Sequence, residues 1–230
     1  MQKTVLLTGA NGNVGIAVVK MFLQNNYRII AVDSKNDHLG FANENTLFEF
    51  HTANVADEQE TNDFLSDLIG KYQRIGAAVL LVGGFAMGNL EKTDAAQIRK
   101  MITLNFDTAF YTSKVLFSHM LKNGYGRIVF TGARPALLAS QGKNMVAYAL
   151  SKSLLFTLAS MMNAEAKGKN VTASVIVPST IDTPSNRESM PDANPAEWVT
   201  PDQVAATIGF ICSDTANPLR EMVYKIYNNV

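Results

Sequence analysis

Tyr148 and Lys152 bracket the pentapeptide Tyr148-Ala149-Leu150-Ser151-Lys152. A spacing of four puts a phenol and an ammonium on one face of a helix. A free phenol titrates near pH ~10, so by itself it shuttles protons poorly at neutral pH. An ammonium beside it favours the phenolate and draws that pKa toward the working range. The pair can therefore pass a proton to a bound molecule, and the lysine can also hold a sugar hydroxyl. With seven tyrosines in the chain, such a pair also arises by chance, so its weight depends on where the fold puts it.

A second constellation is Thr8-Gly9-Ala10-Asn11-Gly12-Asn13-Val14-Gly15, set between an apolar run and a segment of helical period. Glycines three apart permit a tight turn, close approach of backbone to a pyrophosphate, and close packing of helix on strand. A helix starting near Asn13 turns its free N–H groups and positive dipole end toward phosphates. Gly9, Asn11, Gly12, Asn13, Val14 and Gly15 are thus the expected phosphate cradle. Asp33 follows 24 residues after Gly9, at the end of the next apolar run. A carboxylate there accepts hydrogen bonds from the adenosine ribose hydroxyls and repels a 2′-phosphate. The next residues are Ser34, Lys35 and Asn36, with no arginine, which favours NAD(H) over NADP(H). Lys35 leaves room for both.

These groups need a scaffold. Strand-like runs at 5–7, 28–32, 47–50, 77–82, 127–130, 171–177 and 222–227 alternate with helical segments at 14–24, 57–72, 95–122, 145–166 and 201–212. The 95–122 segment reads as one seven-turn helix. Buried strands separated by helices mean parallel βαβ units. The expected architecture is a single doubly wound α/β domain over 1–230, a Rossmann-type parallel sheet with helices on both faces. Tyr148 then follows the fifth strand. Irregular stretches at 134–144 and 178–200 both follow strands, so both fall at the carboxyl edge, where ligands bind. The second holds Pro184, Pro191, Pro195 and the sole tryptophan, Trp198, and reads as a substrate lid. Met145, Met190 and Trp198 would offer a flat substrate an apolar wall.

Charge and composition narrow the classes. Lys+Arg and Asp+Glu number 20 each, so no net field favours nucleic acid or an anionic membrane. No apolar run approaches a membrane span. The single cysteine, Cys212, rules out an internal disulfide and fits a reducing, cytoplasmic compartment. It reads as a small buried hydrophobe. His38, His51 and His119 lack metal-ligand spacing, so no metal site is expected. His51 falls near where an adenine would stack. Helices 95–122 and 145–166 are apolar all round (Phe106, Phe110, Tyr111, Leu116, Phe117), which implies a homodimer or homotetramer.

With these residues in place, the chain resembles the short-chain dehydrogenase/reductase family over essentially its full length. The resemblance implies a nicotinamide-dependent oxidoreductase with Tyr148 as proton donor and Lys152 holding the ribose. It adds Asn105, in Ile102-Thr103-Leu104-Asn105, as support for the lysine through a water relay. It extends the cofactor-binding set to Asn54, Gly83, Gly84, Pro178 and Thr183. The family's strand-five serine, which bonds a substrate carbonyl, falls at Gly132-Ala133 here. Losing that hydroxyl would cost a few kcal/mol of alkoxide stabilisation. A narrower similarity, to the dihydropteridine reductases within the family, lies in 131–137, 82–89 and 181–191. Those enzymes also lack the serine, though Phe85 stands here where a tryptophan is usual.

Three functions remain open from sequence. One is NADH-dependent reduction of a pterin-like or other planar small molecule. Another is ordinary alcohol or carbonyl oxidoreduction, with Thr131 or Ser140 replacing the serine. The third is a non-catalytic NAD-binding regulator.

Overall fold

The computed structural model describes residues 3–228. Seven strands form one sheet in the order β3-β2-β1-β4-β5-β6-β7, every neighbouring pair parallel. They are β1 (Thr4–Thr8), β2 (Arg28–Asp33), β3 (Phe48–Thr52), β4 (Ala77–Leu80), β5 (Tyr125–Thr131), β6 (Asn170–Pro178) and β7 (Val223–Ile226). The central strands are aliphatic on both faces and wholly buried, as in β1 (TVLLT) and β4 (AAVL). A parallel sheet needs this, because helices cover both its sides.

On one side α1 (Asn13–Gln24) packs against the helix Pro201–Ile211, burying Val18, Phe22, Ile208 and Ile211 against Val5, Leu7 and Val129. The other side carries α2 (Glu58–Tyr72), α3 (Ala95–Ile102), α4 (Thr108–Asn123) and α5 (Val146–Glu165), over Leu65, Leu116, Met120 and Leu155. The last helix, Pro201–Ile211, becomes α6. Its start is fixed by Pro201 and by a reciprocal cap between Thr200 and Gln203; Asp94 and Gln97 do the same for α3. Among the described residues no helix is long and apolar enough to cross a membrane.

The expected seven-turn helix over 95–122 is not uniform. A π turn, Thr103–Asp107, joins α3 to α4 and carries Asn105, which is 1% exposed. The wider turn rotates this amide inward, and such turns recur at functional sites. The two irregular stretches are also more ordered than their composition suggests. Residues 134–144 hold two helical turns, Arg134–Leu137 and Ala139–Gly142. Residues 178–200 hold a short helix, Pro184–Ser189, and a 3₁₀ turn, Pro195–Glu197. The neck of that excursion is pinned by Asp182 N to Val199 O at 2.8 Å and Val199 N to Thr180 O at 2.9 Å.

Strand order reverses direction of travel between β1 and β4. The carboxyl ends of those two strands therefore open a crevice, the place where doubly wound sheets bind ligands.

Candidate active site

The glycine turn lies at that crevice. Gly9 sits at φ +73°, and a Cβ there would lie 3.0 Å from the backbone of Leu81 and Val82. A Cβ on Gly15 would lie 2.2 Å from Gly9 O and 2.5 Å from Ala10 O. These two glycines are demanded by the chain itself. Gly12 is different: its nearest neighbour would be Gly9 O at 3.5 Å. It is the N-cap of α1 and brings no side-chain cap, so the first amides of α1 are left for an outside acceptor. That combination fits a diphosphate.

Asp33 stands at the end of β2 with its carboxylate organised by backbone donors. Asn11 N donates to Oδ2 at 2.9 Å and Ser34 N to Oδ1 at 2.7 Å. Asn11 Oδ1 in turn accepts from His38 N at 2.9 Å, tying the glycine turn to the loop after β2. Asn54, just past β3, is exposed, and its Oδ1 accepts from Ala56 N. His51 does not join this group. It pairs with Glu49 at 2.5 Å and packs on Phe64. Burial alone would raise the Glu49 carboxyl, but hydrogen bonds from Lys71, Tyr72 and His51 outweigh it and hold the group at about 2.

Gly83 and Gly84 carry the chain from β4 across the centre of the site. Gly84 N donates to Asn105 Oδ1 at 2.8 Å. A Cβ on Gly83 would lie 2.7 Å from Asn105 Oδ1 and 3.1 Å from Lys152 Nζ; one on Gly84 would meet Leu104 Cδ2 at 2.3 Å. Only bare backbone fits over this asparagine and lysine.

Lys152 is buried, and its Nζ donates to Thr131 O at 2.8 Å. Burial draws its ammonium down to about 8. Burial also pushes the Tyr148 hydroxyl up to about 12. The spacing alone had pointed to the ammonium lowering this phenol. In the folded chain desolvation wins, and the ammonium is directed at a carbonyl. The Tyr148 ring meets Phe85 edge to face, centroids 5.0 Å apart, and Phe85 is 58% exposed at the mouth of the site.

Ser151 escaped the sequence reading. It is fully buried, accepts from Asn105 Nδ2 at 3.0 Å and donates to Tyr148 O at 2.8 Å. It thereby links the π turn to the helix carrying the tyrosine. One serine among several in an apolar helix has no signature of its own.

At the end of β5, Ala133 is buried where the hydroxyl is missing. Of the two candidate substitutes, Thr131 Oγ1 lies 3.4 Å from Leu80 O and Ser140 is exposed. Pro178 is the buried last residue of β6, and Thr183 Oγ1 accepts from Asn186 N as cap of the next short helix. Phe85, Met87, Leu138 and Met190 are exposed apolar side chains on the loops of this edge. Trp198 is not among them: at 8% exposure it is packed inside, so it offers no wall to a ligand.

A family model described as short chain dehydrogenase matches residues 3–194. A dihydropteridine reductase from Dictyostelium discoideum is 29% identical over 208 residues, 89% of this chain and 85% of that protein. A D-beta-hydroxybutyrate dehydrogenase from Rhizobium meliloti (strain 1021) is 24% identical over 215 residues, covering 89% and 81%. The solved structure of ElxO with NADP bound superposes with a TM-score of 0.89 at 22% identity, covering 98% of this chain and 97% of that one.

Proposed function

Because the chain belongs to the short-chain dehydrogenase family and is an oxidoreductase of it, we propose that its single nucleotide-binding domain uses NADH to reduce a planar, pterin-like small molecule. The observation that carries the reading is the missing hydroxyl at Ala133. Reduction of a ring C=N creates no alkoxide, so it needs no hydroxyl donor there. The Dictyostelium relative, by its name a reductase of dihydropteridines, adds support.

When bound, the nicotinamide supplies the hydride. Gly9, Asn11, Gly12, Asn13, Val14 and Gly15 hold its diphosphate, Asp33 the adenosine ribose, and Asn54, Gly83, Gly84, Pro178 and Thr183 the remaining edges. Lys152 holds the nicotinamide ribose, Asn105 orients the lysine segment, and Tyr148 delivers the proton. Tyr148 is protonated throughout the neutral range, since burial raises its pKa. It is thus set as an acid, which suits reduction. Phe85 presents an exposed ring beside it for a flat substrate to pack on.

The deciding experiment follows NADH and NADPH oxidation with quinonoid dihydropterin, in the wild type and in Tyr148→Phe. Turnover with NADH that collapses in the variant is expected. Turnover of simple ketones or alcohols instead, lost in Thr131→Val, would replace this reading with ordinary carbonyl chemistry. Tight NADH binding with no turnover of any of these substrates would mean a regulator.

The assembly is a homodimer or homotetramer, paired through α4 and α5. Their outer faces leave a groove of about 310 Å³ lined by Phe110, Phe117, Leu158 and Met161, the last 64% exposed. Sedimentation as a monomer at micromolar concentration would sink this. A reducing, cytoplasmic compartment follows from Cys212 being the only cysteine, and recovery in a membrane fraction would contradict it.

A further inference from the structure

Arg134 forms no ion pair among the described residues. It directly follows Ala133, the position of the missing hydroxyl. Its Nε is shielded from solvent and has no hydrogen-bond partner. Among the described residues no carboxylate pairs with it, and the Tyr227 ring lies 4.7 Å from the guanidinium.

Topology fixes where this side chain lies. Arg134 stands three residues beyond β5, at the start of the helical turn Arg134–Leu137, and Tyr227 one residue beyond β7. Between them runs β6, whose last residue Pro178 pairs with Ile226, and Ser179 N donates to Ile226 O at 2.8 Å. Neighbouring strands are about 5 Å apart, so a side chain reaching from β5 to β7 crosses the carboxyl end of β6. That end is Pro178, one of the residues proposed above to hold the cofactor. Phe85 and Tyr148 border the site from the β4 side. Arg134 borders it from the β7 side.

A ring beneath a guanidinium satisfies its face and leaves its in-plane N–H groups unused. A fold that needed only filling here would gain by an apolar side chain, since an unpaired buried donor is destabilising. The charge therefore has a use outside the fold. We propose that Arg134 determines substrate specificity: its in-plane N–H groups bind an oxygen acceptor, a ring carbonyl or carboxylate, on the substrate edge turned away from Tyr148. This rests on the reading of the site as a reductase of planar molecules.

The test compares wild type with Arg134→Met and Arg134→Lys. With quinonoid dihydropterin, kcat/KM in Arg134→Met should fall about 30-fold, mostly through KM, because uniform binding is lost. Lysine restores only part, since it lacks the planar fork. NADH affinity, read by fluorescence, should stay unchanged, and the Tm of Arg134→Met should equal or exceed that of wild type. Unchanged kcat/KM overturns the proposal. So does a loss of activity that merely tracks a lower Tm and weaker NADH binding. If wild type does not turn over dihydropterin, the pterin reading fails by itself. Arg134 is then judged on benzoate binding to the NADH-loaded protein. Affinity about ten-fold weaker in Arg134→Met upholds the assignment. Equal affinity, or no binding to wild type, rejects it.

Discussion

Lys152 Nζ donates to the carbonyl oxygen of Thr131 across 2.8 Å, so the end of β5 holds the ammonium of α5 in place. The bond joins the two elements that meet at the reacting centre. It also explains how a charged lysine can be tolerated at 4% exposure. Burial is still costly, which is why its pKa stands at about 8 instead of the ordinary 10.5.

Two pH effects follow. The ammonium is present below pH 8 and lost above it, so kcat/KM should decline on the alkaline side with an apparent pKa near 8. Stability runs the other way. Between pH 8 and 10.5 the unfolded chain binds the proton that the folded chain has released, so stability rises with pH across that window. Relative to Lys152→Met, wild type should gain about 2 kcal/mol between about pH 8 and pH 9.5. Tyr148 has the opposite sign but acts only above its ordinary 10, where the unfolded phenol ionises first. Urea unfolding of both proteins at the two pH values tests this; a constant difference would refute the burial account.

Asn105 is bonded on both sides of its amide, accepting from Gly84 N and donating to Ser151 Oγ. Asn105→Ala leaves the half-buried Gly84 N without its acceptor and takes one of two hydrogen bonds from the buried Ser151 Oγ, which keeps its bond to Tyr148 O, at a cost of about 1–3 kcal/mol in all. Thermal unfolding should show that loss. Steady-state kinetics should show a further fall in kcat, because the loop of Gly83 and the helix of Tyr148 lose their common tie. Ser151→Ala, which breaks only one side, should be milder on both counts. Equal effects would mean that the asparagine does not connect the two.

How much of this was legible in sequence depended on how local the signal was. The glycine turn, Asp33 and the Tyr148–Lys152 pair are each local in sequence, so spacing together with the order of strands is enough to propose them. The central strands are legible too, because burial on both faces leaves aliphatic runs, whereas the half-buried edge strands β3 (FEFHT) and β7 (VYKI) show only as short runs mixing apolar and polar residues. The π turn was not: Asn105 is drawn inward by Gly84 and Ser151, partners 21 and 46 residues away. The same holds for Ser151, whose role exists only once two helices are packed. Sequence places Trp198 beside the site and leaves a substrate wall and plain packing both open; the pinned neck of its stretch packs it inside. His51 lies at the end of β3 as its strand position implies, and its ring pairs with Glu49, the partly buried alternative to a cofactor role.

Asp33 should set cofactor choice. Its two oxygens already accept from Asn11 N and Ser34 N, so the carboxylate is fixed in place where a 2′-phosphate would approach. Asp33→Ser combined with Ser34→Arg removes the repulsion and adds a phosphate partner. The ratio of kcat/KM for NADH over NADPH should fall by at least about 100-fold, measured with one substrate at saturation. A ratio that stays put would move cofactor selection elsewhere, with Lys35 the next cation along the chain.

The glycine turn offers a sharper contrast, because two of its residues are glycine for different reasons. At Gly15 a methyl would overlap Gly9 O and Ala10 O at 2.2 and 2.5 Å, both backbone atoms that cannot step aside. Gly15→Ala should therefore lower the Tm by several degrees or prevent folding, whether or not dinucleotide is present. At Gly12 the nearest atom would be 3.5 Å away, an ordinary contact. Its backbone is extended at φ −76° and ψ 165°, which alanine adopts freely. Gly12→Ala should fold with a Tm close to wild type. The added methyl would instead stand where a diphosphate approaches the first amides of α1, so NADH affinity should drop by about ten-fold or more. Thermal melts with and without NADH separate the two cases: Gly15→Ala is damaged in both, and Gly12→Ala only loses the stabilisation that the dinucleotide confers. A Gly12→Ala protein still stabilised by NADH as strongly as wild type would remove the turn from the cofactor site.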